Sequence, residues 1–199
     1  MARLTRLAPD EFDPELAAVI NPETKESIEL AVLSIIGQRP DLTIPLIDYT
    51  RALKKGQLPR RLVELVRLRI AFHNQCRSCM AIRYPDALED GLTEDLVCSL
   101  EKPLEAEGMT DAEKIAVRYA DLFATNHLAI QDEMYAELAE YFTEGQIIEL
   151  GLHVALFVGM GRLAATWHIV EDLPEAFRET EMGEVLTPWR NESIVVGLT

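Results

Sequence analysis

An all-helical single domain is what the sequence predicts, and three observations carry the prediction. Leu62, Leu65, Val66, Ile70 and His73 follow the i, i+3, i+4 rhythm of a stripe buried on one helix face. Two capping boxes, Thr110-x-x-Glu113 and Thr143-x-x-Gln146, stand where helices should open, the second before a long apolar run. The 199 residues suit one domain that can bury a sizeable core, and a hydrophobic content of 48% is that of a globular chain.

Taken in order, residues 1–20 form an irregular lead broken by Pro9 and Pro14, with a short helical turn from Pro14. Asn21-Pro22 reads as an N-cap and first helical position, opening a helix to about Gly37. Asp41 to Lys55 is a second helix with Pro45 near its start, and Pro59 begins the third, which carries Glu64 and ends at His73-Asn74-Gln75. A fourth starts at Cys76 and runs toward Pro85, which kinks or restarts it. Gly91-Leu92-Thr93 ends one helix and caps a short one through Cys98 and Leu100. After a polar linker at 101–108, helices follow from Thr110 to Thr125, Gln131 to Tyr141, and Thr143 onward. The apolar run from Ile147 to Val170 is long enough to span a membrane, but it holds His153, Arg162 and His168, so it reads as a buried core helix. The domain is thus placed at 21–172, with a tail at 173–199 that packs on the core or on a neighbouring subunit through Trp189.

A shift of 85 residues lays LVELVRLRIAFHNQCRSC over IIELGLHVALFVGMGRLA, bringing Glu64 onto Glu149, Phe72 onto Phe157 and Arg77 onto Arg162. This faint repeat predicts that the second half copies the first half's frame without its thiols.

Charge and cysteine usage narrow the function. With 34 acidic against 19 basic residues the net charge is −15, which repels phosphate backbones and anionic lipid headgroups, so neither nucleic acid nor a membrane is expected as partner. The N-terminal stretch lacks the apolar core of an export signal, and three Cys, an odd number, fit a reducing cytoplasm better than a secreted disulfide framework. So much Leu, Ile and Val in the longest helix predicts a homo-oligomer.

The chemistry concentrates at Cys76-Arg77-Ser78-Cys79. Two thiols three positions apart at a helix start make a redox pair, because the first-turn N–H groups and the charges of Arg77 and Arg83 favour the thiolate. A thiolate attacks a peroxide oxygen or a disulfide sulfur, and the neighbouring thiol then closes an intramolecular disulfide. No cofactor is required. Zinc is the other standard use of C-x-x-C, but it needs four ligands, and Cys98 and His73 are the nearby candidates, so no metal site is expected. Cys98 itself reads as a small buried residue.

Written out from Glu64, the run is Glu-x11-Cys-x2-Cys-x3-Arg. It resembles the core motif of the alkylhydroperoxidase D-like and carboxymuconolactone decarboxylase superfamily, whose redox members carry Glu, Cys, Cys and His at those spacings. The resemblance implies an all-α bundle of the alkylhydroperoxidase D-like type, a homo-oligomer, and a thiol-dependent peroxidase or disulfide-exchange activity. It implies Cys79 as the attacking thiol, Cys76 as the resolving thiol and Glu64 as the proton-relay carboxylate. A small hydroperoxide would be the substrate, and an external dithiol the reductant. Two positions depart from the pattern: Arg83 stands where redox members usually have His, and Ser78 where some have a second His. Arg keeps its proton near neutral pH, so at that place it holds a thiolate but shuttles no proton. His73 and His127 are the candidate substitutes, whereas His153 and His168 read as core or interface histidines. Two other classes remain open: a lactone decarboxylase of the same superfamily, and a non-catalytic helical sensor or scaffold.

Overall fold

The protein is described here by a computed structural model that covers residues 1–178 and 185–197. Among the described residues it is all-α, with twelve α-helices and one two-stranded pairing. The helices are α1 Pro14–Ile20, α2 Ser27–Leu30, α3 Leu33–Ile36, α4 Pro40–Lys54, α5 Arg60–Asn74, α6 Arg77–Ala81, α7 Pro85–Glu89, α8 Glu94–Ser99, α9 Asp111–Thr125, α10 Asp132–Ala139, α11 Glu144–Trp167 and α12 Glu175–Arg178. The strands are β1 Ile82–Arg83 and β2 Ile194–Val195.

The central helix is α5, which packs against α9 on one side and α11 on another. Leu62, Leu65, Val66, Leu68 and Ile70 are almost wholly buried on it, together with Ile115, Val117 and Tyr119 of α9 and Leu150 and Val154 of α11. Both capping boxes form as the sequence predicts: Thr110 Oγ1 accepts from the N–H of Glu113 at 3.2 Å, and Thr143 Oγ1 from that of Gln146 at 3.3 Å.

The faint repeat corresponds to two helices lying side by side. Glu149, near the start of α11, accepts from the N–H groups of Gln57 and Leu58 just before α5, at 2.8 and 3.0 Å. At the other end, Asn74 Nδ2 donates to the Phe157 carbonyl at 3.0 Å, so α5 and α11 run in the same direction.

Three expectations need correction. The helix predicted from Asn21 to Gly37 is broken into a 3-10 turn, α2 and α3. Asn21 and Pro22 do open the 3-10 turn, but the Asn21 side chain makes no capping bond; Asn21 takes the left-handed conformation (φ 51°) that also closes α1, which a short polar side chain tolerates, and its N–H bonds to Ala17. The helix expected from Cys76 to Pro85 ends at Ala81, because Ile82 and Arg83 turn extended and pair in parallel with Ile194 and Val195. Finally, α11 is not a fully buried core helix. Leu150, His153, Val154, Val158, Gly161 and Ala164 face inward, whereas Ile148, Leu152 and Leu163 are exposed. By length and composition it could span a membrane, yet its inner face is packed on α5.

The tail is stitched to the region of the thiols. Gln75 Nε2 donates to the Leu186 carbonyl at 3.1 Å and Gln75 Oε1 accepts from the Leu186 N–H at 2.9 Å. Arg83 donates to the Pro188 carbonyl at 2.6 Å, and Trp189, 3% exposed, lies 5.0 Å from the Phe72 ring. Within the segment expected as tail, residues 179–184 and 198–199 lie outside the described residues.

Gly159 and Gly161 behave differently, although both stand on α11. A Cβ on Gly161 would come within 2.5 Å of Asn74 Nδ2, while one on Gly159 would meet nothing within 4 Å. Gly161→Ala is therefore expected to destabilise the fold by about 1–3 kcal/mol through overpacking. Gly159→Ala should stabilise it by about 0.5–1 kcal/mol through helix propensity. Urea unfolding midpoints of the two variants test the pair of signs.

Candidate functional site

One face of α5 carries Arg60, Glu64, Arg67, Ala71 and Asn74, spaced three or four residues apart, and all of them line a cavity of about 360 Å³. His153, Phe157, Gly161 and Ala164 of α11 line it from the same kind of periodic face, and Val32 just before α3, Ile36 of α3 and Leu46, Ile47 and Leu53 of α4 close it. Ser78, Cys79, Ile82 and Tyr84 complete the wall nearest the cysteine motif.

Cys76 and Cys79 are joined in a disulfide, with Cα atoms 5.2 Å apart. The helix after Cys76 is a single five-residue turn, too short for much of the dipole assistance expected from the sequence. The two sulfurs differ in access. Cys76 is 0% exposed, with Ser78 Oγ 3.7 Å from its Sγ, while Cys79 is partly exposed and faces the cavity.

Glu64 is 3% exposed rather than solvated, and Arg67 holds it with two hydrogen bonds of 2.6 Å, from Nε and Nη2. The same guanidinium donates from Nη1 to the Cys79 carbonyl at 2.6 Å and from Nη2 to the Ile82 carbonyl at 2.7 Å. It also lies over the Tyr84 ring, 4.8 Å from the centroid. Burial alone would lower the Arg67 pKa, but the Glu64 charge and its hydrogen bonds outweigh that and raise it, so the cation is fixed. Burial likewise raises the Tyr84 hydroxyl.

Arg83 is the expected site residue that the structure places elsewhere. Because β1 is extended, Arg83 is not one helical turn beyond Cys79. It is 1% exposed, bonded to the carbonyls of Met80, Ile82 and Pro188 and paired with Glu94 at 3.0 Å. It anchors the tail, and the cation beside Cys79 is Arg67. Arg67 stands three residues beyond Glu64, in the apolar stripe of the same helix, and that position is the signal by which the sequence could have shown it.

Neither candidate substitute histidine lines the cavity. His73 is tied to Asp121, Nε2 to Oδ1 at 2.7 Å, beside Arg69. Burial pushes the Asp121 carboxyl up, but His73 and Arg69 more than offset this and hold it below its ordinary value. His127 sits exposed on a 3-10 turn. The histidine that does line the cavity is His153, 4% exposed, whose Nε2 has no hydrogen-bond partner among the described residues. The closest acid is Glu149, 3.9 Å away. Burial lowers the His153 pKa first, and Arg60 lowers it further, against the opposing pull of Glu149 and a Leu53 backbone hydrogen bond. Among the described residues, no three His, Cys, Asp or Glu side chains cluster in a way that could hold a metal ion.

Comparison with known proteins gives a consistent picture. Residues 40–122, from α4 into α9, match the model of the Carboxymuconolactone decarboxylase family. The uncharacterized protein YdfG of Bacillus subtilis (strain 168) is 24% identical over 129 residues, covering 61% of this chain and 88% of that protein. The uncharacterized protein Rv2313c of Mycobacterium tuberculosis is 34% identical over 90 residues, which is 44% of this chain and 31% of its own length. A crystal structure described as an alkylhydroperoxidase AhpD core, an uncharacterized peroxidase-related protein from Ralstonia eutropha JMP134, superposes with a TM-score of 0.71 over 89% of this chain and 94% of that one. At 16% identity, that likeness is one of fold.

Two expectations follow from the geometry. Glu64→Gln leaves Arg67 as a buried cation without its counter-charge and should cost about 3–5 kcal/mol in urea unfolding. The lowered His153 pKa means that the unfolded chain takes up this proton first. Its contribution to stability is full above the unfolded value of about 6.5 and is lost as the pH falls through the lower folded one. His153→Gln should therefore flatten the decline of unfolding free energy between about pH 7 and pH 5, measured by urea titration at each pH.

Proposed function

We propose that this chain, whose residues 40–122 match the Carboxymuconolactone decarboxylase family and whose fold is like that of an alkylhydroperoxidase AhpD core, is a thiol-dependent hydroperoxidase or disulfide oxidoreductase working through Cys76 and Cys79. The observation that carries this reading is the unequal access of two bonded sulfurs: Cys79 faces the cavity and Cys76 lies sealed behind it.

In the reduced protein, Cys79 thiolate attacks the distal oxygen of a hydroperoxide. The O–O bond breaks, the alcohol leaves with a proton, and Cys79 becomes a sulfenic acid. The Cys76 sulfur then attacks Cys79, water departs, and the disulfide forms. An external dithiol returns both thiols and is oxidised in turn. Glu64 accepts the thiol proton, directly or through water, with lone pairs that Arg67 leaves open, and Arg67 supplies the positive charge on the Cys79 side. Ser78, against the Cys76 sulfur, orients the resolving thiol. The protein acts as a cytoplasmic homo-oligomer, with the exposed Ile148, Leu152 and Leu163 stripe of α11 covered by a second copy.

A second reading, lactone decarboxylation by acid–base chemistry, draws on the matched family and on the unpartnered His153 nitrogen beside the cavity. The two separate cleanly. After one equivalent of hydroperoxide, the reduced protein should lose two hydrogens in intact-mass analysis. Cys76→Ser should instead hold a sulfenic acid that a dimedone probe traps, and Cys79→Ser should consume no peroxide. Alkylation against pH should place the Cys79 thiol below the free value of about 8.5. Thiols that titrate ordinarily and survive peroxide would remove the redox reading, and leave decarboxylation or a non-catalytic role.

A further inference from the structure

The extended stretch that carries Arg83 away from the thiols carries Tyr84 to them. Successive side chains on extended backbone point to opposite sides, and Pro85 holds the residue before it out of the helical region, with Tyr84 at φ −105° and ψ 135°. Ile82 and Tyr84 therefore line the cavity, while Arg83, between them, is turned to Pro188 and Glu94. The backbone of Tyr84 is pinned, since its carbonyl accepts from the N–H groups of Ala87 and Leu88, both at 3.2 Å.

Tyr84 shares a neighbour with the other parts of the site. The Arg67 guanidinium that binds Glu64 and the Cys79 carbonyl lies over the Tyr84 ring, 4.8 Å from its centroid. Ring, cation, carboxylate and outer sulfur all belong to the wall of one cavity. Burial is the main influence on the phenol and raises its pKa; Arg67 opposes this, and Glu64 and Asp86 reinforce it. Tyr84 keeps its proton at neutral pH, and it has what Arg67 lacks, a proton that it can give up and take back.

We propose that Tyr84 is the general acid of the peroxide step: its hydroxyl donates to the proximal oxygen of the hydroperoxide, the one that leaves, while Cys79 attacks the distal one. This rests on the hydroperoxidase reading. The Cys79 thiolate gives an electron pair to the distal oxygen, the S–O bond forms, and the O–O bond breaks with its electrons on the proximal oxygen. That oxygen takes the Tyr84 proton and departs as the alcohol. The phenolate left behind lies under the Arg67 cation, which lowers the cost of forming it. Through water it then recovers the proton that Glu64 took from the Cys79 thiol. Sulfur is oxidised and the peroxide reduced, so one thiol and one hydroperoxide give one sulfenic acid and one alcohol.

The test is a leaving-group comparison on the reduced full-length chain, native and Tyr84→Phe, a variant that keeps the ring over Arg67 and removes only the hydroxyl. An alkoxide is a strong base and needs a proton as it leaves; the carboxylate that leaves from a peroxy acid is a weak base and does not. With tert-butyl hydroperoxide, the single-turnover rate of thiol loss should fall at least about tenfold in Tyr84→Phe, and with peracetic acid it should stay within about twofold. An equal loss with both oxidants, as a merely structural role for Tyr84 would give, overturns the proposal. Unchanged rates with both overturn it too, and leave the redox reading standing. A second measurement needs no variant: in the native protein, the tert-butyl hydroperoxide reaction should show a solvent deuterium isotope effect that the peracetic acid reaction lacks. Its absence from both overturns the proposal even where Tyr84→Phe fails to fold. Native thiols that ignore both oxidants remove the redox reading itself, and the proposal with it.

Discussion

Arg67 and Glu64, three residues apart on α5, form a buried ion pair that the rest of the site leans on. Removing two charges from water is costly, and the arrangement offsets that cost by using nearly all the directions a guanidinium offers: two toward the carboxylate, two toward the carbonyls of Cys79 and Ile82, and its face toward Tyr84. The carbonyl bonds fix the end of α6 and the start of β1 relative to α5. The position of the outer sulfur is therefore set by a cation on the central helix and not by the short helix that carries it.

The residues flanking the cysteines have a second task. Gln75, in the left-handed conformation at the end of α5, grips Leu186 from one side, and Arg83 grips Pro188 and Glu94 from the other. Val196 and Gly197 then reach the cavity wall. Loops of this kind are ordinarily loose, but here the tail is bound through side chains on either side of the thiol motif. The Cys76–Cys79 disulfide and the cavity rim thus share one set of supports.

Charge is distributed with a similar economy. The charged groups that line the cavity are paired, Glu64 with Arg67, Glu29 with Lys25 and Asp86 with Arg60. In an apolar space such pairs attract more strongly than they would in water.

Much of this was legible in the residue order. Capping boxes and apolar periodicity depend on neighbours within one turn, so α5, α9 and α11 could be read directly, and the motif spacing from Glu64 to Cys79 pointed to one site because helices turn spacing into faces. The weak 85-residue repeat marked the two helices that lie side by side. What sequence could not supply depended on partners far along the chain. Ile82 and Arg83 looked helical until Ile194 and Val195 paired with them, and that pairing turned Arg83 from a thiolate's neighbour into an anchor for the tail. His153 looked like core, and became a cavity residue because α4 and α5 close around it without supplying a bond to its Nε2. Local pattern specifies which helices form. Which of their polar groups meet, and which are left facing an empty space, is decided when distant segments dock, because a buried charge takes whatever partner the packing brings within reach.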